Sequence, residues 1–354
     1  MMPGIKVKDL RTPALLMDLD GMENNLSRMA AFFRDKEAKL RPHFKAHQVH
    51  SLALKQMRAG AIGITCARLE HAEALVHQGI ENILLANEIA GMSMIKHFVD
   101  LSRYAPVIVA VDNPAVVSDM AKVAGKWARL LNVVVDLDVR LGRCGVRPGE
   151  EALSLARFVM EKGLRFRGLM GYEGHVRLPA GPEKREVVHA TLKRLLDTKS
   201  IIEHQGIPVD IVSCGGTSDY SVAGTYPGVT EIQAGSYLLM DTWYVPVAPD
   251  FGPTLSVLAT VISKPESGRI VADVGLKAMS GENGFPSVKG IPGLQVKAMH
   301  IEHTIMEIAE QTINVGVGDK IEFWVHFLDP TLILHGRVFG VRNGEVEEIL
   351  QVER

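Results

Sequence analysis

Lys45 sits at the middle of LRPHFKAHQVH (residues 40–50), where Arg41, His43, His47 and His50 surround it with basic or titratable groups. A lysine among cations is pushed toward its neutral amine, and only the neutral amine attacks a carbonyl. An ordinary solvated lysine at a strand end is the plain alternative. Far along the chain, Cys214-Gly215-Gly216-Thr217-Ser218 follows a buried apolar run. Its two glycines let the backbone approach an anion closely, its hydroxyls add donors, and a following helix start would favour negative charge. A tight turn with an N-cap is the plain alternative there. Gly235-Ser236-Tyr237 ends the next apolar run and repeats the pattern. A reactive lysine together with an anion cradle suits a phosphorylated aldehyde, and pyridoxal 5′-phosphate is the candidate.

The elements that must carry these residues alternate at a short period. Strand-like runs at 40–47, 63–68, 82–89, 107–113, 131–138, 164–174, 209–217 and 231–237 are separated by helical patterns such as 183–204. The strands are continuously apolar, as in a parallel sheet covered on both faces. Eight such units close a (β/α)8 TIM-type barrel, whose chemistry sits at the strand C-termini and whose phosphate sites recur after the seventh and eighth strands. Lys45, Asn87, Glu88, Asp112, Asp138, Arg140, Arg143, Tyr172 and His175 all fall at predicted strand ends. From about Ser256 the pattern becomes strands punctuated by Gly, Pro and Asn, and Asn343-Gly344 between apolar runs predicts a hairpin. The expected organisation is a barrel over 22–245 followed by a C-terminal all-β domain. That domain is built from 246–354 and joined by 1–21, whose strand at 14–20 is left over from the barrel.

Bulk properties agree with two domains: 354 residues, 47% hydrophobic and 23% charged. A net charge of −2 gives no footprint for nucleic acid. No apolar run approaches a membrane span, and the first residues lack the apolar core of a signal peptide. Cys66, Cys144 and Cys214 form no disulfide framework or zinc motif, so a reduced, cytoplasmic setting is expected.

Taken together, TPALLMDLDGMENNLSRM, LRPHFKAH, VDLDVRLGRCGV, VSCGGT, EIQAGSYLLMD, ADVGLKAMS, IEH and DPTLILHGRVFGVRNGEVE make the chain resemble the fold-type III pyridoxal phosphate enzymes, within them the D-threonine aldolase and D-serine dehydratase family. The resemblance covers nearly the whole chain. It implies that Lys45 is the Schiff-base lysine, that Arg143 binds the cofactor ring oxygen and that Tyr172 lies against the pyridine ring. Gly215, Gly216, Thr217, Gly235, Ser236 and Tyr237 would hold the phosphate. It also implies a homodimer acting on a small D-amino acid, while the charge and hydropathy above give no nucleic-acid or membrane partner.

Two positions depart from the family pattern. The family's divalent metal (Mn, Mg or Zn) is held by His-x-Asp before Pro-Thr, but here the run is His326-Phe327-Leu328-Asp329-Pro330-Thr331, so the histidine is one residue early. On a strand, that shift turns a side chain to the other face. His326 and Asp329 are the candidate metal ligands, and His303 is a further candidate ligand or catalytic group. The family's histidine six residues beyond the tyrosine is Leu178 here, which leaves His175 as the candidate base. The expected function is a pyridoxal phosphate-dependent lyase, by retro-aldol cleavage of D-3-hydroxy amino acids to glycine and an aldehyde. A D-serine or D-hydroxy amino acid dehydratase, an amino acid racemase and a non-catalytic pyridoxal phosphate carrier are the alternatives.

Overall fold

The computed structural model describes residues 4–266, 268–309 and 313–353. In chain order the first nine strands are β1 (Ala14–Asp18), β2 (Lys39–Leu40), β3 (Ile64–Cys66), β4 (Ile83–Leu85), β5 (Val107–Val111), β6 (Asn132–Asp136), β7 (Arg165–Gly171), β8 (Ile211–Cys214) and β9 (Glu231–Ile232). Two compact units divide the chain, one of residues 29–45 and 52–235, the other of 1–28, 46–51 and 236–354.

In the first unit β2 to β9 form one parallel sheet in the order β2-β9-β8-β7-β6-β5-β4-β3. A parallel bridge between His43 and Thr65 joins its two ends and curls it into a barrel. Every residue of β5 and β6 is buried, because helices cover one face and barrel side chains the other. Leu84, Ile108, Ala110, Val134, Met170 and Ile211 fill the interior as one cluster. The helices begin where the sequence signals them. Asn113 caps Pro114–Ala124 by accepting from the Ala115 N–H at 2.9 Å, with proline at the first helical position. The long helix expected at 183–204 spans Pro182–His204.

The other unit holds β10 (Leu255–Glu266), β11 (Arg269–Ala272), β12 (Ser287–Val288), β13 (Leu294–Met299), β14 (Thr304–Ile308), β15 (Lys320–Trp324), β16 (Arg337–Arg342) and β17 (Glu345–Gln351). The leftover strand finds its place here: β1 runs antiparallel to β10 and parallel to β16. Leu10, Ala14, Leu16, Leu258, Phe339 and Val346 form the core beneath it. In contrast to the barrel, β15 alternates buried and half-buried residues, as a sheet packed on one face should. Asn343 and Gly344 turn the β16–β17 hairpin with φ of 52° and 76°, the left-handed pair that such a turn requires.

Most of the expected barrel strands are shorter than the apolar runs suggested, the first and last most of all. The run 40–47 is β2 plus a single 3-10 turn, Phe44–Ala46, and the run 231–237 is β9 alone. No described helix is long and apolar enough to cross a membrane.

Candidate active site in the barrel unit

β2 delivers Lys45 through a tight turn. The His43 N–H donates to the Ala234 carbonyl at 3.4 Å, and the Lys45 N–H donates to His43 Nδ1 at 3.4 Å. Lys45 is half-buried on that turn, and Gly235 leaves the neighbouring strand beside it. The cations expected to crowd the lysine are not all there. Arg41 is 2% exposed and points its guanidinium at Glu231, with Nε to Oε1 at 2.9 Å and Nη2 to Oε2 at 2.8 Å. Its Nη1 donates to the Asn82 carbonyl. The charge of Arg41 is therefore compensated within the barrel.

β6 ends at Asp136, and a compact loop follows. Asp138 Oδ1 accepts from the N–H groups of Arg140 (3.0 Å) and Gly142 (2.9 Å), and Val146 bridges back to Leu137. Gly145 permits the return: its φ is +100°, and a Cβ there would lie 2.5 Å from the Asp138 nitrogen. The loop displays Arg143, whose guanidinium carbon is 5.7 Å from the centre of the Tyr172 ring, a cation–π distance.

Tyr172 follows β7 and is half-buried. A Cβ on Gly216 would lie 3.4 Å from its ring, so ring and glycine loop adjoin, and the side-chain-free glycine leaves room between them. The loop itself differs from expectation. The Gly215 N–H already donates to Glu173 Oε2 at 2.8 Å, and the Gly216 N–H donates to Asp219 Oδ1 at 2.7 Å. The helix after it, Tyr220–Ala223, is a single turn, too short to supply the expected N-terminal dipole. Gly215 and Gly216 thus give the loop its shape and clearance, with their amides tied to two carboxyls. Thr217 is buried on the same loop.

Acids that the sequence placed at strand ends without a role gather at this rim, with Asp136 beside them. Ligand atoms of Glu88, Asp112 and Cys144 lie within 4.8 Å of one another. Asp136 is 6% exposed, and burial, followed by the nearby Glu88 charge, pushes its carboxyl up to about 8. The sequence signal was present, since Glu88 and Asp112 follow β4 and β5. Their convergence depends on the barrel closing.

His175 lies exposed in the loop after Glu173. Partial burial and then Arg140 lower its pKa, while Asp138 opposes them.

The remaining expected site residues belong to the other unit. The Ser236 carbonyl accepts from the Met240 N–H at 2.7 Å, and Tyr237 is fully buried against Phe251. His303 is exposed in the β13–β14 turn, its carbonyl accepting from the His300 N–H at 2.7 Å. The run before Pro330-Thr331 is not a strand: β15 stops at Trp324, and the proline and threonine lie in a short helix, Leu328–Leu332. His326 pairs Nδ1 with Thr242 Oγ1 at 2.9 Å and Nε2 with the Asn283 carbonyl at 3.2 Å, and Phe327 packs edge-on to Trp243. With both ring nitrogens engaged, His326 does not fit as a ligand, and no group of three metal-ligating side chains among the described residues includes it or Asp329.

Comparison with known proteins places this geometry among relatives. Residues 17–242 match the family model "Alanine racemase, N-terminal domain", and 254–341 match a serine dehydratase domain. The chain is 34% identical to the D-threonine aldolase of an Arthrobacter species, over 99% of this chain and 94% of that one. It is 30% identical to the D-threo-3-hydroxyaspartate dehydratase of a Delftia species, over 88% and 87%. The crystal structure of D-threonine aldolase from Filomicrobium marinum superposes with a TM-score of 0.95 at 31% identity, covering 99% and 98% of the two chains.

Proposed function

The chain belongs to the alanine racemase N-terminal-domain family, on the branch that holds D-threonine aldolase and hydroxyaspartate dehydratase, and from that premise we propose that it is a pyridoxal 5′-phosphate-dependent lyase cleaving D-3-hydroxy amino acids to glycine and an aldehyde. The observation that carries the reading is the contiguity of Arg143, Tyr172 and Gly216. A cation lies over an aromatic ring, and the ring's edge adjoins the glycine loop, where a Cβ on Gly216 would meet it at 3.4 Å. These residues fit the cofactor: an arginine for a ring oxygen, a flat apolar ring, and a cleared backbone loop for a phosphate. When bound, pyridoxal phosphate supplies an electron sink for the carbanion left by cleavage.

The chain's own residues do the rest. Lys45 would hold the cofactor through its aldehyde, its amine supplying the nucleophile. Arg143 would hold the ring oxygen with charge-assisted hydrogen bonds, and Tyr172 would lie against the ring. His175 is the proposed base: its lowered pKa keeps the imidazole neutral near pH 7, ready to take the 3-hydroxyl proton as the Cα–Cβ bond breaks. Cα then regains a proton to give glycine. No step is routed through a metal at His326 and Asp329.

The dehydratase relative keeps a second reading in view, in which Lys45 removes the Cα proton, the hydroxyl leaves, and a 2-oxo acid and ammonia result. Incubating the holoprotein with D-threonine, D-threo-3-hydroxyaspartate and D-serine, with and without chelator, separates the two. Aldehyde with glycine supports the aldolase. A 2-oxo acid supports the dehydratase. Neither product from any of the three overturns the lyase reading. A homodimer is part of the same proposal, and light scattering checks it.

A further inference from the structure

Glu173 is a buried acid for which the cleavage chemistry has no use. It is 2% exposed, and Oε2 accepts from the Gly215 N–H at 2.8 Å. Oε1, on the same carboxyl and therefore also at the loop, is buried without a hydrogen-bond partner. Asp219, 2% exposed, holds the next amide of the loop at 2.7 Å. Two carboxylates and an incoming phosphate would put three anions around four residues of chain. Charges that close, removed from water, cannot all persist.

We propose that Glu173 is a positioning residue of the anion site that works as a neutral acid: Oε2 pins the Gly215 amide, Oε1 carries a proton, and a phosphate monoester binds tightly only to that form. The inference rests on the reading of this loop as the cofactor's phosphate site.

The surroundings favour the neutral form. Burial first, then the Asp219 charge, raise the Glu173 pKa well above the ordinary carboxyl value, against the Gly215 amide, its own backbone N–H and a hydrogen bond from the Cys214 thiol. The other groups facing it do not reverse this. The Cys214 thiol is itself pushed up by burial and by Glu173. Glu231 faces that thiol but is paired with Arg41. Lys184, buried on the helix Pro182–His204, acts on Asp219. Arg143 lies beyond the Tyr172 ring. Asp219, with Lys184 and the Gly216 amide on its side, is the member of the pair that ionises, at about 6.

The test measures the pyridoxal phosphate dissociation constant of full-length protein from pH 6 to 9.5, for wild type and Glu173→Gln. The glutamine keeps an acceptor for Gly215 and places a donor where the acid proton would be. Both proteins should bind alike at low pH. Above the Glu173 pKa the wild-type constant should rise about tenfold per pH unit relative to the variant's. Lysine and cofactor ionisations are common to both proteins and cancel in the ratio. Parallel pH profiles overturn the proposal, as does a folded Glu173→Gln that binds tenfold more weakly at every pH.

Asp219→Asn serves should the first variant fail to fold. It removes the charge that keeps Glu173 protonated, so the pH at which affinity begins to fall should move down. An unmoved or raised onset counts against the proposal. Wild type that takes up no cofactor at any pH sinks the functional reading instead, which separates the two failures.

Discussion

Arg41 and Glu231 form a two-point ion pair inside the barrel unit, Nε to Oε1 at 2.9 Å and Nη2 to Oε2 at 2.8 Å, with side chains 2% and 3% exposed. It ties β2 to β9, where Lys39 pairs with Glu231 and Leu40 with Ile232. Removing one member leaves the other charge buried without compensation, which costs about 3–5 kcal/mol, whereas replacing both with apolar residues costs far less. Arg41→Met and Glu231→Leu should therefore each destabilise strongly, and the double variant should recover most of the loss. Urea unfolding of the four proteins measures this. Additive losses in the double variant would mean that the pair contributes no mutual compensation.

The loop that presents Arg143 depends on one backbone conformation. Gly145 has φ of +100°, and a Cβ there would strike backbone atoms of Leu137 and Asp138 at 2.5 Å. Gly145→Ala should strain the loop by about 1–3 kcal/mol or displace it. Because the disturbance is confined to residues 137–146, pyridoxal phosphate affinity should fall about tenfold or more while the melting temperature changes little. A cofactor titration beside a thermal melt checks both halves. Unchanged affinity would detach this loop from the cofactor.

The barrel was legible in the sequence because both faces of its strands are buried. A continuous apolar run such as VIVAV at β5, or the three valines of β6, has few other structures to join, and the hairpin at Asn343-Gly344 was equally plain. Individual site residues were legible as strand-end positions, and their partners were not. Arg41 looked like a cation pressing on Lys45 because its counter-charge, Glu231, lies 190 residues further on. The amides of Gly215 and Gly216 looked available because nothing in the local pattern pairs them with their acceptors, Glu173 and Asp219. His326 read as a strand residue one place out of register, but the strand had already ended at Trp324. Local pattern specifies where the chain goes, while the pairing of charges needs the folded barrel.

Arg143 and Tyr172 should act on the cofactor together. A cation–π contact of this kind contributes about 0.5–1 kcal/mol, and a lysine cannot reproduce the planar fork of an arginine. Arg143→Lys and Tyr172→Ala should each weaken pyridoxal phosphate binding, and Tyr172→Phe should not. In a double-mutant cycle the two losses should fall short of additivity by about that amount. Dissociation constants read from the cofactor chromophore supply the four corners. Full additivity would show that the two residues do not support one another in the bound state.

Asp136 should make the stability of the fold depend on pH in the direction opposite to most acids. Its carboxyl ionises at about 8 in the folded chain against an ordinary 3.8, because burial and then the Glu88 charge disfavour the anion. Between those values the folded protein keeps a proton that the unfolded chain has lost. Stability therefore falls as pH rises through that window, by at most about 1.4 kcal/mol per unit, and levels off above pH 8, where both states are ionised. Asp136→Asn keeps the shape and removes the titration. The stability of wild type minus that of the variant, from urea unfolding at pH 5 to 9, should decline steadily to about pH 8 and then flatten. Other buried acids, Glu173 and Asp219 among them, titrate in both proteins and drop out of the difference. A difference constant across that range would mean that Asp136 is ionised in the fold, and the rim would then carry its full negative charge beside Arg143.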